Sequence, residues 1–249
     1  MDSLTLIRDS RLGALDVALS HAILGAVSAG QMGATLRLHV PGPILAFGRA
    51  DRVTPGYAGA VRAAIAHGFV PVERLAGGRA AVFHDKTIAF SLAIPDDDPK
   101  TGIQSRFELI SRLMADAFET LGVDARIGEL PGEYCPGRWS VNVAGKVKVM
   151  GVGQRLVRGA AHVGGVVVVD EGHRIRDVLV PVYRALGLDW DPRTAGSLAD
   201  RSPGITMPLV GGAIEEQFRS RFQVVERTLP EDVLAAAAGL VPEHLPQVA

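Results

Sequence analysis

Cys135 stands in a short Tyr-Cys-Pro-Gly segment at residues 134–137. Proline followed by glycine favours a turn, so the sulfur is expected in a loop rather than inside a strand. Arg138 nearby, and a lysine from a neighbouring strand, could stabilise the thiolate that nucleophilic attack requires. Free cysteine is also among the residue types most often buried as a small hydrophobe. Its surroundings alone therefore leave Cys135 open as either a nucleophile or a core residue.

Two lysines and two glycines follow in the segment GKVKVMGVGQR at residues 145–155. On a strand, Lys146 and Lys148 lie on one face, and Gly151 and Gly153 leave room beside that face. Lysines on a strand usually face solvent. Lysines that point into a glycine-lined groove would instead stabilise the negative charge that develops on an acyl carbonyl.

A third segment, RLAGGRAAVFHD at residues 74–85, contains a glycine pair, an arginine and a histidine. Gly77 and Gly78 would let the backbone approach a ligand closely and expose consecutive amide groups. Arg79 could hold a carboxylate or a phosphate. Glycine pairs are more often turns, and a single histidine such as His84 is more often structural, so this pattern alone does not decide between binding and turn formation.

The elements that must position these residues are strands with interleaved helices. Apolar spacing predicts helices over residues 12–27, 56–67 and from 105, where Ser105 and Glu108 match a capping box. Strands are predicted at TLRLHV, ILAFG, FVPVERL, AAVFH, TIAFSLAI, VDARI, WSVNV, KVKVMGVGQRLV and VGGVVVV. No regular alternation of strand and helix exists, so we expect an α+β fold with a mixed, mostly antiparallel sheet flanked by helices.

Bulk composition bounds the function classes. The chain has 249 residues, 26 basic against 27 acidic side chains, and one cysteine. The balanced charge argues against a nucleic-acid partner, and the single cysteine excludes an internal disulfide and a multi-cysteine metal site. No apolar stretch is long enough to span a bilayer and the N-terminus does not resemble a signal peptide, so a cytoplasmic protein without a membrane partner is expected.

Taken in order, the three segments resemble the biotin/lipoate A/B protein ligase superfamily over most of the chain, roughly residues 4–198. GGRAAVFHD resembles the family's glycine-rich motif that ends in a histidine, with one extra residue before His84. Lys148-Val149-Met150-Gly151 is similar to its lysine motif, and Gln154-Arg155 fits the residues that follow it. His162 before Gly164-Gly165 resembles the step that opens the next strand.

The resemblance implies the α+β catalytic fold shared with biotin ligases for the core, about residues 4–198. No compositional break calls for a second domain, so we expect a single catalytic domain over residues 1–249, with a helical C-terminal extension at about residues 203–249. The resemblance also implies that residues 74–79 line an acyl tunnel, that Lys148 touches the acyl carbonyl, and that Lys146 sits beside the site. The other ligand-binding residues it implies are Arg74, Gly77, Gly78, Arg79, His84, Gly151, Gly153 and His162, and no metal site is expected.

The resemblance also bears on mechanism. ATP-dependent lipoate ligases carry an Asn-Asp pair shortly before the lysine motif, where this sequence has Trp139 and Ser140, and they generally use a further small C-terminal domain. The Tyr-Cys-Pro-Gly segment instead resembles the nucleophile loop of cysteine-dependent octanoyl- and lipoyl-transferases, notably the amidotransferase branch. It implies transfer of an octanoyl or lipoyl group to a lysine of a carrier domain through a Cys135 thioester, without a cofactor.

The expected partners are lipoyl carrier domains, namely the E2 subunit of 2-oxoacid dehydrogenases and glycine-cleavage H-type proteins, with acyl carrier protein as another donor. Two alternatives stay open at this point. One is an ATP-dependent lipoate ligase that needs ATP and Mg²⁺. The other is a non-catalytic protein that binds an acyl group or a carrier domain.

Overall fold

The computed structural model describes residues 2–248, and its elements alternate irregularly between strands and helices. The strands are β1 (Ser3–Ile7), β2 (Thr35–His39), β3 (Ile44–Phe47), β4 (Val70–Glu73), β5 (Ala81–Phe83), β6 (Thr87–Pro95), β7 (Ala125–Ile127), β8 (Val141–Val143), β9 (Val147–Val157), β10 (Ala160–Val168) and β11 (Gln223–Glu226). The helices are α1 (Ala14–Ser28), α2 (Arg49–Arg52), α3 (Tyr57–Ala66), α4 (Ile103–Thr120), α5 (Gly172–Leu186), α6 (Met207–Arg221) and α7 (Glu231–Leu240).

Within the described residues the strands form two sheets. The larger sheet has eight strands in the order β11-β1-β2-β6-β10-β9-β8-β7, and the smaller has the order β4-β3-β5. Strand β1 pairs in parallel with both β11 and β2, and β3 pairs in parallel with β4. The other strand pairings are antiparallel. The predicted α+β fold with a mixed, mostly antiparallel sheet is thus confirmed.

Helices cover both faces of the larger sheet because alternate residues of its strands point to opposite sides. Leu6 of β1 and Leu92 of β6 pack in one apolar cluster with residues of α4 and α6. Their neighbours Ile7 and Ala93 pack in another cluster with α1 and α7. Helices α3 and α5 pack together beside the smaller sheet. No helix in residues 2–248 is long and apolar enough to cross a bilayer.

Two details differ from the sequence predictions. Helix α4 begins at Ile103 with Gly102 before it, so the predicted capping box at Ser105 is wrong. The Ser105 hydroxyl instead donates to the Gly102 carbonyl inside the first turn. The C-terminal segment, expected to be helical, also contributes β11 to the edge of the larger sheet. This strand is only four residues long and mostly exposed, so it lacks the apolar alternation that would announce it.

Candidate active site

A cavity of about 540 Å³ opens between two loops, strands β9 and β10, and the start of α4. The glycine-rich loop is residues 74–80, between β4 and β5, and the nucleophile loop is residues 128–140, which contains Cys135. Phe83, Phe107, Val152, Leu156 and Val166 make much of its wall apolar. An apolar cavity with a few polar groups at one end is the usual form of a small-molecule site. Of the residues singled out from the sequence for a role at the site, those in the lining are Arg74, Gly77, Gly78, Cys135, Arg138, Lys148, Gly151 and Gly153.

Cys135 occupies a left-handed backbone conformation, with φ of 42°. Such a conformation is unfavourable for a residue with a side chain and is often found at functional turns. The Cys135 amide donates to the Tyr183 hydroxyl at 2.9 Å, and that hydroxyl lies 3.2 Å from the Ala80 carbonyl, to which it donates. Burial raises the pKa of Tyr183 well above its ordinary value, so the hydroxyl keeps the proton that it donates.

The Cys135 sulfur faces hydrogen-bond donors and a cation. The backbone N–H of Arg79 donates to Sγ at 3.1 Å, and the Arg74 guanidinium Nη1 lies 3.8 Å from the same atom. Arg74 also donates to the Arg79 carbonyl at 2.9 Å, which ties its side chain to the glycine-rich loop. A thiolate is the reactive form of cysteine, and N–H groups and cations are the partners that a thiolate sulfur accepts.

The glycine-rich loop is held in place by a close backbone contact with Gly48, the residue before α2, and by an ion pair with Asp51 of that helix. Gly78 has φ of 112°, and a Cβ atom built on Gly48 would lie 1.8 Å from the Gly78 carbonyl oxygen. The Arg79 side chain does not enter the cavity lining; it pairs with the buried Asp51 carboxylate at 3.2 Å. Burial raises the pKa of Asp51, while hydrogen bonds from the Gly48 amide and Arg79 act in the opposite direction. The Arg79 side chain therefore anchors the glycine-rich loop, and the backbone N–H of the same residue donates to the sulfur.

Lys148 lies on β9 where the pairing with β8 is irregular between Val141 and Asn142. Its side chain is 2% exposed, and its ammonium donates to three acceptors. These are Glu133 Oε1 at 2.9 Å, the Tyr134 carbonyl at 3.0 Å and the Cys135 carbonyl at 2.7 Å. The ammonium thus contacts the main chain of the nucleophile residue.

Lys146 was expected beside the site, on the same strand face as Lys148. The structure instead leaves it exposed in the turn that begins at Ala144 and Gly145, before β9 starts at Val147. It does not line the cavity. The expected face is not formed because the strand begins only after Lys146.

Glu133 was not singled out from the sequence, yet its carboxylate is the centre of the nucleophile loop. Oε1 accepts from Lys148 Nζ at 2.9 Å, from the Ser140 hydroxyl at 2.7 Å and from the Gly137 amide at 3.2 Å. Oε2 accepts from the Leu130 amide at 3.0 Å. Its position in the sequence, two residues before the cysteine in a glycine- and proline-rich loop, indicates a residue near the site but does not indicate its ion pair with Lys148.

The two predicted glycines of β9 differ in how closely their neighbours approach. A Cβ on Gly153 would lie 3.0 Å from the Gly77 carbonyl oxygen and 3.1 Å from the Ala76 Cβ, so this glycine lets the loop approach the strand. A Cβ on Gly151 would lie 3.4 Å from Cε of Lys148. Close packing thus needs a glycine at position 153, whereas a Cβ at position 151 would make only an ordinary contact with the Lys148 side chain.

His84 lies outside the cavity lining, in the turn between β5 and β6. Its Nδ1 accepts from the Lys86 amide at 3.2 Å, and its carbonyl accepts from the Thr87 hydroxyl at 2.8 Å. Burial, with a contribution from the nearby Arg174 guanidinium, lowers the pKa of His84 to about 4. The ligand-binding role stays a prediction, and the observed contacts are those of a turn.

The donor atoms of His84, Asp85 and Glu171 lie within 4.8 Å of one another, which is close enough to hold a metal ion. The Arg174 guanidinium already pairs with both carboxylates, at 2.6 Å from Asp85 and 2.9 Å from Glu171. This cation supplies the positive charge that the two carboxylates need. The cluster is therefore explained by ion pairing within the chain.

His162 lines a second, smaller cavity of about 70 Å³, which shares Arg74, Phe83 and Gly165 with the larger one. Its Nε2 lies 2.9 Å from the Ser91 hydroxyl oxygen. Burial, with a contribution from Arg74, lowers the pKa of His162 to about 3, so the ring is neutral near pH 7. His162 thus lines the smaller cavity and not the cavity that Cys135 lines.

A family model described as the lipoyl protein ligase A/B catalytic domain matches residues 13–186. The chain belongs to this family. The match includes the glycine-rich loop, Cys135, Lys148 and His162, so all three segments singled out from the sequence lie within the lipoyl protein ligase A/B catalytic domain.

Curated relatives of this lipoyl protein ligase A/B domain include acyltransferases of two kinds. An octanoyl-GcvH:protein N-octanoyltransferase of Geobacillus kaustophilus is 31% identical over 170 residues, which is 68% of this chain and 60% of the relative. A lipoyl-GcvH:protein N-lipoyltransferase of Listeria monocytogenes is 25% identical over 143 residues, or 53% of this chain and 51% of the relative. The chain thus spans about half to three fifths of the length of these two relatives.

Solved structures share the lipoyl protein ligase fold across nearly the whole chain. A lipoate-protein ligase A bound with ATP has a TM-score of 0.77 and 19% identity, covering 98% of this chain and 95% of that chain. A bi-partite lipoate protein ligase of Thermoplasma acidophilum, described with its E2 lipoyl domain, has a TM-score of 0.75 and 18% identity, covering 98% and 93%. At this identity the likeness establishes the fold.

Proposed function

We propose that this protein transfers an octanoyl or lipoyl group to a lysine of a lipoyl carrier domain, through an acyl-thioester on Cys135. One observation carries the proposal. Cys135 Sγ lies at the wall of an apolar cavity, in a left-handed turn, where the Arg79 amide donates to it at 3.1 Å. The cavity supplies a place for an acyl chain, and the sulfur supplies a nucleophile beside it.

The reaction can be written as two acyl exchanges. The Cys135 thiolate attacks the carbonyl carbon of an acyl-lysine amide on a donor carrier, so that a C–S bond forms and the C–N bond breaks. The donor lysine nitrogen takes up the proton that was released when the Cys135 thiol ionised, and it leaves as an amine. The acceptor lysine amine then attacks the thioester carbonyl, forming a new amide and returning a proton and electron pair to the sulfur. The bonds balance without a nucleotide or a metal ion.

The Arg79 amide and the Arg74 guanidinium are the groups that would favour the thiolate, because both face Sγ. Lys148 has a different starting position. Its ammonium is engaged with the Cys135 carbonyl at 2.7 Å, and it would reach an acyl carbonyl only by leaving one of its present acceptors. We propose that this exchange occurs as the tetrahedral intermediate forms, when an oxyanion becomes the stronger acceptor.

The names of the curated relatives support the choice of partners. The octanoyl- and lipoyltransferases of Geobacillus kaustophilus and Listeria monocytogenes are named for a GcvH-bound acyl donor. We infer that this protein takes its acyl group from a glycine-cleavage H-type protein and delivers it to E2-type lipoyl domains. Acyl carrier protein is the competing donor, and a direct comparison of the two donors distinguishes them.

The competing function in the same family is ATP-dependent ligation. The two positions where ligases carry their Asn-Asp pair hold Trp139 and Ser140, and both make hydrogen bonds within the chain, Ser140 to the nucleophile loop and Trp139 to α4. The Ser140 hydroxyl donates to Glu133, and the Trp139 carbonyl accepts from the Ser111 hydroxyl at 2.8 Å. Neither offers a carboxylate for Mg²⁺, which prefers oxygen ligands of that kind.

Intact mass spectrometry tests the proposal. The purified protein is incubated without ATP with octanoylated H-type protein or octanoyl-acyl carrier protein, beside a Cys135→Ser variant. A mass increase of one octanoyl group on the wild type, removed by hydroxylamine and missing from the variant, is the expected result. Acylation of a carrier domain only when ATP and free octanoate are supplied would make the protein a ligase. Neither product under either condition would favour a binding protein without turnover.

A further inference from the structure

The nucleophile loop depends on one fully buried carboxylate. The Glu133 side chain is 0% exposed and accepts four hydrogen bonds, from Leu130, Gly137, Ser140 and Lys148. The three donors within the loop lie on both sides of Cys135 in sequence. Glu133 therefore joins the beginning of the loop, its end and the adjacent strand through a single carboxylate.

Lys148 extends this arrangement to the nucleophile itself. An ammonium has three N–H donors, and Lys148 uses them on Glu133 Oε1, the Tyr134 carbonyl and the Cys135 carbonyl. The ammonium also lies 4.9 Å from the centre of the Tyr134 ring. The carbonyl of Cys135 is thereby fixed on one side, and its amide is fixed on the other by Tyr183.

The two charges need each other because both are buried. A buried charge whose partner is removed costs several kcal/mol, whereas replacing both members by neutral groups is often tolerated. Loss of Glu133 would therefore release the loop and would also leave the Lys148 ammonium without its counter-ion.

We propose that Glu133 is a positioning residue that, through its hydrogen bonds in the loop and its ion pair with Lys148, holds Cys135 in its left-handed conformation with Sγ at the cavity wall. This inference rests on the proposed thioester function. It assigns to Lys148 a ground-state role at the nucleophile's own carbonyl, in addition to any contact with the acyl group.

A double-mutant cycle tests the proposal with Glu133→Gln, Lys148→Met and the combined variant. The readout is octanoyl-thioester formation followed by mass spectrometry over a range of donor concentrations, expressed per molecule of protein that alkylates at Cys135. Each single variant should lower the limiting rate about 10- to 100-fold, since small displacements of a reacting group have effects of that size. The donor concentration at half-saturation should stay within about two-fold of the wild-type value.

Because Glu133 and Lys148 hold the same loop and the combined variant leaves no unpaired buried charge, its loss of rate should be smaller than the product of the two single losses. Losses that multiply, or a wild-type limiting rate in Glu133→Gln or in the combined variant, would overturn the proposal. If Glu133→Gln does not fold, the combined variant still decides, because it contains neither buried charge. The variants Glu129→Gln and Lys100→Met are the matched controls. Both residues are exposed, so these variants should keep the wild-type rate.

The wild-type protein separates this inference from the function on which it rests. If it forms no thioester with any donor, the proposed function fails. The rate at which iodoacetamide alkylates Cys135, which needs no acyl donor, then decides about the loop. Equal alkylation rates in the wild type and all three variants would refute the positioning role, and a change of about three-fold or more in each single variant would support it.

Discussion

Gly78 and Cys135 lie so close together that a Cβ atom built on the glycine would be 2.9 Å from the cysteine sulfur. The same Cβ would be 2.9 Å from Nη1 of Arg74, and Gly78 has φ of 112°, which side chains rarely allow. The sulfur can therefore take its position only because residue 78 has no side chain.

We predict that Gly78→Ala lowers the rate of octanoyl-thioester formation about 100-fold, because the methyl group displaces the sulfur or the guanidinium beside it. The neighbouring Gly77→Ala is the comparison, since a Cβ there would meet no atom within 4 Å. Its loss should be much smaller. Single-turnover mass spectrometry of both variants measures the difference, and equal losses would contradict the steric explanation.

Arg74 is predicted to accelerate every reaction of the Cys135 thiolate, with or without an acyl donor. Its guanidinium lies 3.8 Å from Sγ. Opposite unit charges about 4 Å apart attract each other by about 1 to 4 kcal/mol near a protein surface, and about 1.4 kcal/mol corresponds to ten-fold. Iodoacetamide should thus alkylate an Arg74→Gln variant about ten-fold more slowly than the wild type at pH 7.

Arg138 provides the control for this prediction. It was named from sequence as a candidate partner of the thiolate, but its guanidinium lies 5.1 Å from the centre of the Trp139 ring and its side chain is exposed. Arg138→Gln should change the alkylation rate by less than about two-fold, because solvent screens exposed charges. If Arg138→Gln slows alkylation more than Arg74→Gln does, Arg138 and not Arg74 is the cation that stabilises the Cys135 thiolate.

The backbone of Cys135 should carry a measurable strain. At φ of 42° a residue with a Cβ is less stable than glycine by about 1 kcal/mol. We therefore predict that the free energy of unfolding of Cys135→Gly, measured by urea titration, is about 1 kcal/mol larger than that of Cys135→Ala. The usual order, in which alanine is the more stable substituent, would show that the turn relaxes when the thiol is removed.

Stability should fall as His84 is forced to take up a proton. Its pKa is about 4 in the folded chain against an ordinary value of 6.5, so the unfolded chain binds protons more readily between these values. Stability is complete above pH 6.5 and is lost as the pH falls towards 4, which amounts to about 2 kcal/mol between pH 7.5 and 5.

The variant His84→Asn removes this titration and keeps an acceptor for the Lys86 amide. Its free energy of unfolding should decrease by about 2 kcal/mol less than that of the wild type when urea titrations are compared at pH 7.5 and pH 5. An identical decrease in both proteins would mean that the His84 ring gains solvent before the chain unfolds.

The sequence predicted the helices and strands best where the apolar pattern was long and regular, as in α1, α4, β6 and β10. It did not predict β11, because a short, exposed strand at a sheet edge has no apolar alternation. Ser105 fitted a capping pattern that the structure does not use, because the chain already turns into a helix at Gly102. Local patterns therefore predicted the elements but not the pairing at the sheet edge.

The candidate site was predictable in part for a similar reason. The glycine pair, Cys135 and Lys148 were recognisable as types, and they do meet at one cavity. The central role of Glu133 could not be read from spacing, because its ion pair with Lys148 spans 15 residues and depends on how the loop folds back onto β9. His84 was grouped with the site by its motif, and its contacts lie instead within its own turn.

The parallel pairing of β1 with β11 joins residues 3–6 to residues 223–226. During synthesis, β1 and its partner β2 are complete long before the ribosome reaches β11. Through that interval the outer edge of β1 presents unpaired amide and carbonyl groups, an arrangement that invites association with other chains. The strand that covers this edge, β11, is thus the last strand to be synthesised. A nascent chain arrested before residue 223 should therefore depend more on chaperones than one released after residue 226.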